Sequence, residues 1–110
     1  MSTDASHREL AERLRAQART DGAGSPGANA GAVDAGAGRP SSLTEPFRTL
    51  AEQVGHASFR VTDAQVDVVR DAAGSEQAAF EIVMAASVGA GLRRWDAAMR
   101  AIQEADDAAR

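Results

Sequence analysis

The chain has 110 residues, a mass of 11.4 kDa and a formal charge of −4, from 12 basic and 16 acidic residues. One small domain fits that length, and the absence of cysteine excludes disulfides, thiol redox chemistry, a cysteine nucleophile and thiolate metal sites. The acidic balance argues against nucleic acid as a partner, and two histidines are too few for a histidine-built metal centre. The longest uncharged apolar run, Ile82 to Leu92, holds eleven residues, against about 20 for a membrane span. No basic start followed by an apolar stretch marks a signal peptide. The expectation is a soluble, cytoplasmic chain with no membrane contact, no metal and no cofactor. All 12 basic residues are arginine. With the abundance of alanine, this reads as the coding bias of a GC-rich genome.

Residues 1–20 predict a short helix over 3–20. Ser6 and Glu9 have the spacing of a capping box, and Leu10 and Leu14 share one face. Two leucines bury too little to hold an isolated helix. The segment therefore reads either as a solvated, partly helical tail or as a docking peptide that folds onto a partner's groove.

Residues 21–42 read as a flexible linker. Six glycines, two prolines and almost no large apolar side chains leave nothing to offset the entropy of ordering.

Residues 43–110 predict three helices. The first runs from about Glu45 to His56, capped by Ser42 or Thr44, with Phe47, Leu50, Ala51 and Val54 on one face and Gly55 near its end. The second opens with the capping box Thr62 to Gln65, buries Val66, Val69 and Ala73, and stops at Gly74. The third runs from Ser75 or Glu76 to about Asp106. There Ala85, Leu92 and Met99 repeat every seven residues, as do Val88, Trp95 and Ile102, which makes a seam of the coiled-coil kind. Ile82 lies off that stripe. Gly89 and Gly91 each cost about 1 kcal/mol of helix propensity, so a second helix is expected close to both.

The segment His56–Arg94 resembles the C-terminal part of carboxymuconolactone decarboxylase and alkylhydroperoxidase D-like proteins. The matching features are Val61, Thr62, Asp63 and Val66 at a helix start, then Ala73-Gly74, then Phe80, Glu81, Ala85 and Ala86 opening a long helix. The resemblance implies an all-α fold that assembles through such helices. Peroxidase members carry a Cys-x-x-Cys pair that this chain lacks, so thiol peroxidase activity is excluded and no catalytic residue carries over.

Few residues remain for chemistry. His56, at a helix end, reads as a capping or surface histidine, or as a site residue if a carboxylate adjoins it. Arg93 and Arg94, beside Trp95, read as a solvated face, or as a pair that binds an anion or stacks on an aromatic. Glu81, between Phe80 and Ile82, reads as a partner of Arg60 or Arg94, or as a semi-buried acid with a raised pKa. The sequence thus predicts an all-α protein with a disordered tail and linker and a three-helix domain that oligomerises through its long helix. Its expected role is a non-catalytic assembly or partner-binding subunit, joined to itself or to a larger helical protein. The alternative is a cofactor-free enzyme, decarboxylase- or isomerase-like, with a pocket between subunits.

Overall fold

A computed structural model describes residues 3–110; residues 1 and 2 of the expected tail lie outside the described residues. Five α-helices follow in order: α1 (Thr3–Arg19), α2 (Ala28–Gly36), α3 (Phe47–Ala57), α4 (Asp63–Ala73) and α5 (Glu76–Ala108), with a 3-10 turn, Ser58–Arg60, between α3 and α4. There is no strand among the described residues. Among them, too, no helix is long and apolar enough to cross a membrane.

Local chemistry sets most boundaries. The Thr62 hydroxyl accepts from the Gln65 amide at 3.2 Å, and the Thr62 amide donates to Gln65 Oε1 at 2.9 Å, which satisfies two orphan donors at the start of α4. Gly74 closes α4 with φ of 83°, a conformation that favours glycine. Ser75 then caps α5 by accepting from the Ala78 amide at 3.1 Å. Two expectations fail here. Ser6 lies inside α1 rather than capping it, because the helix already begins at Thr3. Neither Ser42 nor Thr44 caps α3, which Pro46 precedes and which continues past Gly55 to Ala57.

The main correction concerns residues 21–42. They are not a featureless linker, because α2 lies within them and is the most buried helix of the fold. Ala32, Val33 and Ala35 are almost fully enclosed. Burial here comes from backbone proximity rather than bulk. Gly36 lies against the backbone of Ala86 in α5, Gly55 of α3 lies against Gly36, and Gly89 of α5 lies against Val33. Close contact gains dispersion energy from many atom pairs even when the side chains are small. Ser41 ties down the return, donating to the Gly31 carbonyl at 2.7 Å while its Oγ accepts from the Leu43 amide at 3.1 Å.

The core follows from that arrangement. Around α2 pack Leu43, Ala51, Ile82, Ala85 and Ala86, and beside them Leu50, Val69 and Ala79 join α3, α4 and α5. Ile82, read from sequence as lying off the stripe, is 2 % exposed. The buried face of α5 is the small-residue face, with Ala78, Ala85, Ala86 and Gly89 toward α2 and α3. The seam expected from sequence is therefore split. Ala85 and Leu92 point into the chain's own core, Val88, Trp95 and Met99 are half-buried, and Ile102 is 56 % exposed.

Candidate functional site

Helix α1 is not a detached tail; it packs on α2 and α5 of its own chain. Its direction is antiparallel to α5. His7 sits edge-on to Trp95, with ring centroids 6.2 Å apart, and the Ala23 amide just past the other end of α1 donates to Glu81 at 3.1 Å. Arg15 donates to Asp96 at 3.0 Å and also pairs with Glu12. Arg19 donates to Asp34 of α2 at 2.7 Å.

This packing leaves an apolar groove of about 450 Å³ between α1 and α5. Leu10 and Leu14 form one lip, Val88 and Trp95 the other, and the floor includes Gly91. Both leucines remain about half exposed, at 57 % and 48 %. A side chain at Gly91 would meet nothing within 4 Å, so the close neighbour expected there is absent from the chain itself. A second hollow of about 520 Å³ continues the groove past Leu14 and Val88 toward Met84 and Phe80. Phe80 and Met84 are 60 % and 46 % exposed.

The polar end of that hollow is built around Glu81. Its carboxylate accepts from the Asn29 amide at 3.0 Å, from Gln77 at 2.9 Å and from the Ala23 backbone. The Asn29 bond, followed by Gln77 and Ala23, holds the carboxyl below the usual glutamate range. This overturns the raised pKa considered from sequence, and the partners are amides rather than Arg60 or Arg94. Asn29 is buried and also donates to the Thr20 carbonyl at 3.0 Å, so Glu81 anchors the α1–α2 connection to α5.

The other sequence candidates do not converge. His56 is exposed at the end of α3. Arg94 donates to the Gly55 carbonyl at 3.3 Å, and Arg93 extends past Gly38. The aromatic partner of Trp95 is His7, not an arginine. A smaller hollow of about 200 Å³ between Gly24, Leu43, Phe47 and Ala73 has only Ser25, Ser42 and Thr44 as polar side chains in its wall. Among the described residues, no group of three or more His, Asp or Glu is placed to hold a metal ion.

His7 and Asn29 belong to the site although sequence reasoning passed over them, and Met84 belongs to it although the sequence offered it only as apolar bulk on a neighbouring face of the long helix. Met84 carried a legible signal, its seven-residue spacing from Gly91. Asn29 carried none, because its helix was read as linker. Comparison of the chain with protein-family models, curated proteins and solved structures gives no match.

Proposed function

We propose that this protein is a non-catalytic helical assembly module whose α1–α5 groove receives an amphipathic helix of a protein partner. The observation that carries this reading is the groove itself. A helix-binding groove needs an apolar floor and spaced apolar lips along a helix axis. Leu10 and Leu14 along α1, and Val88 and Trp95 along α5, supply that spacing beside the open Gly91 floor. Exposed apolar strips of this kind mark interaction surfaces in soluble proteins. The resemblance of His56–Arg94 to carboxymuconolactone decarboxylase-like proteins is part of the same proposal, as an assembly relationship rather than a shared reaction.

Trp95 is the chain's single tryptophan and lines the groove, which makes it a built-in probe. Acrylamide quenching of its emission should fall when a synthetic amphipathic helix with Leu and Ala on one face is added, or when the chain itself is concentrated. Leu14→Asp should abolish the protection. Unchanged quenching under both conditions would refute the groove as a docking surface.

A further inference from the structure

One side of α5 carries a continuous apolar seam that α1 half covers at Val88 and Trp95 and that is exposed from Ala98 onward. Val88, Trp95 and Ile102 recur every seven residues, and so do Met84, Gly91, Ala98 and Ala105; Ala109 completes the pattern. These two sets occupy the two core positions of one heptad repeat. The first set is mostly large, and the second is small beyond Met84. No residue of α5 after Leu92 is buried. From Met84 to the end of α5 at Ala108 the seam runs for 25 residues, which is about 38 Å of helix; Ala109 is the residue just past that end.

Resting on the reading above, we infer that the helix received by the groove is α5 of a second copy of this chain, paired antiparallel about a two-fold axis between Asp96 and Ala97. In an antiparallel pair, residues of one seam position face residues of the other. Trp95 then faces Ala98 of the partner subunit, Ile102 faces Gly91 of the partner subunit, and Val88 faces Ala105 of the partner subunit. Every layer combines one large and one small side chain. Met84 meets Ala109 of the partner subunit at the edge. A parallel pair would stack Trp95 on its own copy and Gly91 on its own copy, so layers would alternate between overfilled and empty, and both errors are destabilising.

Charge favours the same direction. Glu104, Asp106 and Asp107 crowd the end of α5, whereas Ile82–Leu92 carries no charge. Antiparallel pairing lays the acidic end along the partner's uncharged stretch. Parallel pairing would set six carboxylates within about one and a half turns. The arrangement is isologous, so each Gly91 gap receives one Ile102 and each Ile102 fills one gap. Leu10 and Leu14 then close over the inserted helix, because they line the groove at the level of Gly91. At roughly 30–40 Å² a residue, about 15 residues a side bury around 1,000 Å² in total, the lower edge of a stable interface.

Light scattering on the full chain at high micromolar concentration should give twice the 11.4 kDa chain mass. Ile102→Asp should give the monomer mass with unchanged helicity, since Ile102 is 56 % exposed in its own chain. The chain has no cysteine, so engineered thiols report register cleanly. A mixture of Val88→Cys and Ala105→Cys chains should form disulfide-linked dimers under mild oxidation. Ala105→Cys alone should not, since its two copies would lie about 25 Å apart along the axis. A monomer at every concentration, or self-linking of Ala105→Cys, would overturn the inference. If the chain stays monomeric while the synthetic helix still shields Trp95, the second copy is the wrong occupant and the groove reading stands. If neither protects Trp95, both fail.

Discussion

The backbone carbonyl of Val33 occupies the space that a β-carbon on Gly89 would require. Helices α2 and α5 therefore touch backbone to backbone at that level. Gly36 against Ala86 repeats the contact within the same helix pair, and Gly55 against Gly36 extends it to α3. A helix interior normally gains about 1 kcal/mol when glycine becomes alanine. At Gly89 the steric cost exceeds that gain. Gly89→Ala should destabilise the chain by about 1–3 kcal/mol, read as a lower denaturant midpoint with an unchanged m-value. A variant as stable as the parent would contradict the close packing.

Gly91, two residues on, should behave in the opposite way. Nothing lies within 4 Å of its missing side chain. Gly91→Ala should raise the stability of the single chain by up to about 1 kcal/mol, through helix propensity and a less flexible unfolded state. The measurement is thermal unfolding at low micromolar concentration, where association contributes least. The contrast between the two glycines cancels errors common to both variants.

The capping box of α4 gives a third expectation. The Thr62 hydroxyl holds the Gln65 amide, and the first turn carries Asp63 as well. Thr62→Ala should cost about 1 kcal/mol, whereas Thr62→Ser keeps the hydroxyl and should be close to neutral. Equilibrium unfolding of both variants checks it, and equal losses would show that the hydroxyl bond contributes little.

What the sequence revealed depended on bulk and on caps. Thr62, Gly74 and Ser75 mark their helix ends through side-chain and backbone chemistry that acts within four residues, so α4 and the start of α5 were legible. The α3 stripe of Phe47, Leu50, Ala51 and Val54 was legible for the same local reason. Helix α2 was not, because its reason for folding lies elsewhere in the chain. An Ala- and Gly-rich stretch forms a helix here only because Gly55 and Gly89 leave room for it. Missing α2 also misplaced the phase of α5. Without α2 to occupy the Ala85, Ala86 and Gly89 face, Ala85 and Leu92 looked free to join a seam. The groove was legible in part: Leu10, Leu14, Val88 and Trp95 were singled out, but their meeting across α1 and α5 depends on tertiary contacts.

Glu81 makes stability depend on pH. Its folded carboxyl is held below the ordinary glutamate value, first by Asn29 and then by Gln77 and the Ala23 amide. A depressed folded pKa stabilises the fold above the unfolded value, and that stabilisation is lost as pH falls through the folded one. The loss therefore lies below the ordinary value of 4.5. Glu81→Gln should lower stability at neutral pH and flatten the acid limb of the stability curve. Denaturant midpoints taken from neutral to acidic pH test it, and parallel curves for parent and variant would remove Glu81 from the account.

Asp34 links α1 to α2. It accepts from Arg19 at 2.7 Å and from Arg39 at 3.4 Å, joining α1 to α2 and to the turn after α2. Both arginines are more than a third exposed, so the effect on global stability should stay below about 1 kcal/mol. The local effect should be larger. Helix α1 has Leu10 and Leu14 half exposed, and it is held by few buried contacts besides Ala18 and the polar links of Arg15 and Arg19. Asp34→Asn should therefore speed amide exchange in α1 while leaving α5 near Ile82 protected, a sub-global opening rather than unfolding. Because α1 supplies one lip of the groove, the same variant should also weaken shielding of Trp95 by an added helix. Uniform exchange rates across α1, α2 and α5 in the variant would show that Asp34 supports the whole fold and does not act as a tether for α1.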